Sequence, residues 1–129
     1  MLFRSCGIHI DSIAADGARA HLPYRRDWLG DVDRGLIHTG IITTLIDTVM
    51  GMAALSATGE FRPIATLDLR MDYLRPALPD RTLYSRAACY RLTRSIAFVR
   101  ASAWQDREDE PVAVSQAAFM RSKTPPAAR

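Results

Sequence analysis

The sequence predicts an α+β domain, with one long central helix wrapped by an antiparallel sheet of five to six strands. Three observations lead there. Apolar residues from Ile41 to Ala54 recur at helical spacing around most of a cylinder. Beyond them, four runs of strand length are separated by short polar or proline-bearing turns. The chain has 129 residues, 48% hydrophobic and 24% charged, which suits one core and excludes a disordered or coiled-coil chain.

In chain order, Cys6 to Ile13 and Ala18 to Pro23 flank an Ala-Asp-Gly turn and read as two short strands. Tyr24 to Gly35 is rich in charge and reads as a loop leading into the helix. Ile41, Ile42, Leu45, Ile46, Val49, Met50, Ala53 and Ala54 form the apolar surface, and Thr43, Thr44, Asp47 and Thr48 form a narrow polar strip. Gly59 supplies a C-terminal stop. From Ile64 to Leu74 the chain alternates, with Ala65, Leu67, Leu69, Met71 and Tyr73 on one side and Thr66, Asp68, Arg70 and Asp72 on the other. The segment Arg75 to Arg81 breaks that strand. Further runs cover Thr82–Leu92, Ile96–Trp104 and, after an acidic turn from Gln105 to Pro111, Val112–Met120. Four consecutive strands with short turns predict a meander. Residues 1–122 make one domain and 123–129, with two prolines and no core pattern, a flexible tail.

Composition narrows the function. Seventeen basic and fourteen acidic residues give a net charge of +3, and all the basic residues but Lys123 are arginine. The charges are scattered, which argues against a nucleic-acid partner. Cys6 and Cys89 are far apart, and His, Asp and Cys show no ligand spacing, so neither a disulfide framework nor a metal is implied. The N-terminus has no continuous apolar stretch of the secretory kind. Gly40 to Thr58 is apolar enough to suggest a membrane span, but Asp47 at its centre favours a buried helix, no membrane association and a cytoplasmic protein. His9 and His21 read as strand residues, and Trp28 and Trp104 as core or interface anchors.

The chemistry concentrates at Gly35-Leu-Ile-His-Thr-Gly40 and at Asp47. His38, Thr39 and Gly40 straddle the helix start, where amide groups without intrahelical partners suit a carbonyl oxygen becoming an anion. A plain cap at Thr39 is the commoner use of such residues. Asp47 is a lone carboxylate on an otherwise apolar helix, and such a group needs a partner or a function. Eight positions separate Thr39 from Asp47, about 12 Å along an ideal helix. One carbonyl carbon cannot touch both in the same chain. Two helices antiparallel about a two-fold axis bring each Asp47 to the partner's helix start, so the spacing predicts a homo-oligomer, a dimer or a dimer of dimers.

The run Gly35 to Gly40, with Asp47-Thr48 seven residues further on, followed by Ile64-Ala-Thr-Leu-Asp-Leu-Arg-Met-Asp-Tyr-Leu-Arg-Pro-Ala77, resembles the hotdog-fold acyl-CoA thioesterases of the phenylacetate-degradation type. Arg91 to Trp104 and Glu110 to Phe119 resemble that family's last strands. The resemblance spans Gly30 to Met120. It implies hydrolysis of an acyl-CoA thioester to a free acid and coenzyme A, with no cofactor beyond the coenzyme A of the substrate. Asp47 matches the catalytic general base or nucleophile. Thr39, with Gly40, falls at the oxyanion position, where the family usually has glycine. His38 matches a histidine that shapes the turn, and Thr66 a Ser or Thr that positions water or the carboxylate. Arg75, Arg94 and Ser95 match stretches that approach the coenzyme A nucleotide. Val32 stands where the family often has Asn or Gln, with Asp31 and Asp33 on either side. The Val32 and Thr39 departures keep a second reading open, a non-catalytic acyl-CoA-binding or regulatory module. Thr39, Met50, Met52 and Phe61 are candidates for the acyl pocket, and Gly51 leaves either room for the thioester or a helix-packing contact.

Overall fold

The computed structural model describes residues 7–25, 29–31, 36–57 and 63–122. Its elements are β1 (His9–Ala14), β2 (Gly17–Leu22), β3 (Leu29–Asp31), β4 (Leu36–Ile37), α1 (Thr39–Ser56), β5 (Ile64–Tyr73), β6 (Leu83–Leu92), β7 (Ile96–Trp104) and β8 (Ala113–Arg121). Six strands form one antiparallel sheet in the order β1-β2-β6-β7-β8-β5, and β3 pairs with β4 as a separate ribbon. The helix lies on one face of the large sheet. This is the α+β layer architecture expected.

The helix is long and apolar enough to cross a bilayer by composition alone. Here its stripe of Ile42, Leu45, Ile46, Val49, Met50, Ala53 and Ala54 is buried in the core. The facing side of the sheet is largely alanine: Ala18, Ala20, Ala87, Ala97, Ala101, Ala103, Ala113 and Ala117 are all buried. Small side chains on the sheet let branched residues of the helix settle close to the strands, so size alternates across the layer. Two serines share this face without an orphaned hydroxyl. Ser85 Oγ donates to Ala20 O at 2.9 Å, and Ser115 Oγ donates to Arg70 O at 2.7 Å.

Four expectations change. The downstream strands are not a simple meander. Only β6, β7 and β8 run consecutively, and β5 pairs with β8 at the far edge instead of with β6. Alternation marks a strand but carries no information about its neighbour. Second, part of the expected loop from Tyr24 to Gly35 forms β3, the first strand runs His9–Ala14 instead of the expected Cys6 to Ile13, and the second keeps its length but starts one residue earlier, at Gly17. Third, the alternation of β5 breaks at a bulge between Thr66 and Asp68. Leu67 is the extra residue, so Thr66 pairs with buried Phe119 and shares the helix-facing side with Leu69, Met71 and Tyr73. Ala65 pairs with exposed Met120 on the other side. Fourth, Met50, a candidate for the acyl pocket, is fully buried in the core of the chain. The helix ends with Ala57 in helical conformation, its N–H donating to Ala53 O at 3.1 Å. Gly59, Phe61, Cys6, Trp28, Val32, Asp33 and the tail 123–129 lie outside the described residues.

Candidate active site at the helix N-terminus

The cap of α1 is His38, not Thr39. His38 has φ −61° and ψ 133°, and its Nδ1 accepts the Gly40 N–H at 2.9 Å. An acceptor at Nδ1 requires the ring proton at Nε2. The ring folds back this closely because Gly40 has no side chain; a Cβ there would meet Nδ1 at 3.0 Å. The Ile41 N–H donates to His38 O at 3.0 Å. Of the first three helical amides, only that of Thr39 has no acceptor among the described residues. The two-residue oxyanion position read from the sequence therefore narrows to one open donor.

The end of β5 clamps this turn. Tyr73 Oη hydrogen-bonds Thr43 Oγ1 and reaches Thr39 O at 3.5 Å. The threonines of the polar strip bond to their own helix: Thr43 Oγ1 donates to Thr39 O, Thr44 Oγ1 to Gly40 O and Thr48 Oγ1 to Thr44 O, at 3.2, 2.8 and 2.8 Å. Such back-bonding satisfies each hydroxyl without water, so the strip can be covered at little polar cost. A cavity of about 440 Å³ opens beside the turn, lined by Leu36, Ile37, Thr39, Ile42 and the Tyr73–Ala77 segment. Thr39 and Arg75 are thus brought to one cavity. Arg75 also lies 3.9 Å from Glu110, a half-exposed pair that leaves its charge largely available.

Asp47 sits on the same outward ridge of the helix, two turns on. Its carboxylate has no hydrogen bond or ion pair among the described residues. Partial burial pushes its carboxyl up from the ordinary aspartate value of 3.8. Within one chain nothing joins Asp47 to Thr39. Thr66 is turned by the bulge toward the helix side of β5, although plain alternation places it on the opposite side. Arg94 and Ser95 occupy the β6–β7 turn, where Ser95 O accepts the Arg121 N–H at 2.8 Å. Arg121 pairs with Ile64, and the Ile64 side chain lies by Gly51. That turn therefore belongs to the C-terminal half of the helix, away from Thr39. Gly51 has ordinary clearance to Ile64, 3.8 Å from an added Cβ, so no tight packing contact requires it within the chain.

Sequence reasoning missed Tyr73 as the clamp of the helix start and Gln105 as a latch. Gln105 is buried, accepts the Leu78 N–H at 2.9 Å and donates to Leu78 O at 2.8 Å, which holds the segment between β5 and β6. Neither role has a sequence signal, because a strand-end tyrosine and a turn glutamine read as surface residues. His21 Nδ1 contacts Asp11 at 2.7 Å and stacks on His9 with ring centres 4.9 Å apart, and Trp104 stacks on Tyr84 at 6.2 Å. These form a cross-strand ladder on the side of the sheet away from the helix.

A single helix laid across a six-stranded antiparallel sheet in this strand order is the hotdog fold. Its likeness to solved structures is close: a Pseudomonas aeruginosa protein matches with a TM-score of 0.84 at 36% identity, over 94% of this chain and 90% of that one. A thioesterase family protein from Silicibacter pomeroyi matches with a TM-score of 0.83 at 25% identity, over 93% and 88% of the two chains. Residues 34–112 match the model of the Thioesterase superfamily, and the chain belongs to that family. A Halobacterium salinarum protein named "Putative esterase VNG_1336C" is 31% identical over 88% of this chain and 79% of its own length.

Proposed function

We propose that the protein hydrolyses acyl-CoA thioesters in the manner of the phenylacetate-degradation type, as a cytoplasmic homodimer or dimer of dimers with two composite sites per dimer. The observation that carries this reading is the pairing of two uncommitted groups on one exposed helical ridge, the Thr39 N–H and the Asp47 carboxylate, about 12 Å apart. Neither has a partner among the described residues, and each has the chemistry the other lacks. Membership in the Thioesterase superfamily supports the reaction class.

In the dimer, Thr39 of one chain polarises the thioester carbonyl and stabilises the oxyanion. Asp47 of the other either deprotonates the attacking water or attacks the carbonyl carbon to form a mixed anhydride that water then opens. Either route leaves the coenzyme A thiol and a free acid. Thr66, turned inward by the bulge, orients the water or the carboxylate. Arg75 at the cavity mouth, and Arg94 with Ser95 contributed from the other chain, hold the phosphates of the nucleotide. The exposed residues of edge strand β5, bulge residue Leu67 and helix-side Tyr73 among them, are the surface a second chain would cover.

Two substitutions test this. Asp47→Asn retains shape and removes the base or nucleophile, so turnover of a panel of acyl-CoA thioesters falls by about 10²-fold or more. Thr39→Pro removes the amide donor at the first helical position, where proline is tolerated, and His38 already has the extended conformation a following proline demands. It is expected to lower kcat by about 10²-fold with the fold intact by circular dichroism. Full activity in either variant overturns the assignment of that group. Wild-type protein that binds acyl-CoA without turning it over establishes the binding module instead.

A further inference from the structure

The side of the sheet away from the helix has a depression of its own. Strand register places Ser12, Arg19, Arg86 and Ser102 in one row across β1, β2, β6 and β7. The next row consists of Ala14, Gly17 and Ala88 and ends at Arg100. Three short residues beside three long cations leave a trough of about 490 Å³. The floor is fixed: Gly17 has φ 148°, and a Cβ there would stand 2.5 Å from Ala87 O.

The charge in this trough is not balanced. Arg19 and Arg86 share one carboxylate, Glu108, at 3.7 and 3.5 Å. Arg100 lies 4.1 Å over the Tyr90 ring and has no carboxylate partner among the described residues. Asp16 is the acidic residue of the lining. The hydroxyls of Ser12 and Ser102 have no hydrogen-bond partner among the described residues. Guanidinium groups facing hydroxyl donors across a floor of small residues match an anion with several oxygens on adjacent centres.

We infer that this trough binds a diphosphate group, carried by a small molecule or free, at a site separate from the helix N-terminus. Arg86 and Arg100 clamp the two phosphoryl groups, Ser12 and Ser102 donate to them, and Glu108 competes for the Arg86 guanidinium. None of this depends on thioester chemistry.

The experiment is calorimetric titration of the full chain with inorganic diphosphate and, in parallel, with ADP. One saturable site per chain is expected, weakened by added salt. Arg86→Gln and Arg100→Gln should each weaken binding about tenfold, the loss of one charge-assisted contact. Glu108→Gln should tighten it, because it removes the competing carboxylate. Arg107→Gln, whose side chain pairs with Asp109 outside the trough, should leave it unchanged. ADP binding tighter than diphosphate, with that excess lost in Arg86→Gln and Arg100→Gln, identifies a nucleoside diphosphate as the ligand of the trough, and equal affinity identifies the diphosphate group alone. Absence of saturation, affinity unaltered in both arginine variants, or weaker binding in Glu108→Gln overturns the inference. The readout needs no hydrolysis, so it stands or falls apart from the proposed enzyme activity.

Discussion

At the residue scale, the site rests on three side chains that each do a small, definable job. His38 consumes the Gly40 amide and thereby singles out Thr39. Tyr73 ties the end of β5 to Thr43 and to the Thr39 carbonyl, so the helix start and the strand end move together. Tyr73→Phe is expected to cost about 1 kcal/mol of stability, the net worth of a lost hydrogen bond, measured by urea unfolding. A larger fall in thioester turnover than that stability loss explains would show the clamp positioning Thr39.

Asp47 yields a pH prediction. Its carboxyl is raised by desolvation in the folded chain, so the ionised form is disfavoured there relative to the unfolded chain. The group therefore favours folding below the unfolded value, and this contribution is lost as pH rises through the raised folded value. Replacing it with a neutral isostere removes that dependence. Asp47→Asn is expected to raise Tm at neutral pH and to lose that advantage in acid, by differential scanning calorimetry. Equal shifts at both ends would mean that the raised value has another origin. For the proposed activity the sign is opposite: a base or nucleophile at Asp47 is competent only when ionised, so turnover should fall with acid at a midpoint above the ordinary aspartate value.

At the scale of elements, the layer between helix and sheet is asymmetric in size, with bulk on the helix and alanine on the strands. Enlarging the strand side has nowhere to go. Ala103 is fully buried, and Ala103→Leu should destabilise by about 1–3 kcal/mol through overpacking, checked by chemical unfolding. The helix was legible in the sequence because its apolar period is strong and its stripe wide. The β7 strand was legible too, ending where read, at Ile96 and Trp104. The bulge at Leu67 was not, because Ile64–Tyr73 fits plain alternation as well as it fits two alternating halves out of phase. That single inserted residue decides which way Thr66 faces. The histidine cap was hidden for another reason: a threonine beside it is the more usual cap, and only the ring geometry, with the space left by Gly40, distinguishes them.

At the scale of the whole molecule, Asp47 and the helix start were readable as chemistry, but their relation was readable only as a distance. Helix rise alone separates them, and the proposed reaction brings them together only through a second chain. Placement of β5 beside β8 could not be read, since pairing depends on where chain segments far apart in sequence come to rest. The composite site makes a strong prediction for mixtures. Asp47→Asn and Thr39→Pro chains, each inactive alone, are unfolded together and refolded. Half the dimers should then be hybrids with one intact site, restoring about a quarter of wild-type activity. No recovery would place both groups' actions within single chains or remove one of them from the reaction.

The order of elements along the chain also governs how the protein is made. The helix leaves the ribosome ahead of β6 and β7, the later strands whose alanines shelter it, and β5 must wait for β8 before it has a hydrogen-bonding neighbour. A nascent chain stalled after Tyr73 therefore displays an oily rod and a strand with both edges bare, the kind of species that sticks to its own copies. Synthesis of this small domain is exposed to aggregation until β7 and β8 emerge, well before any ligand can be met.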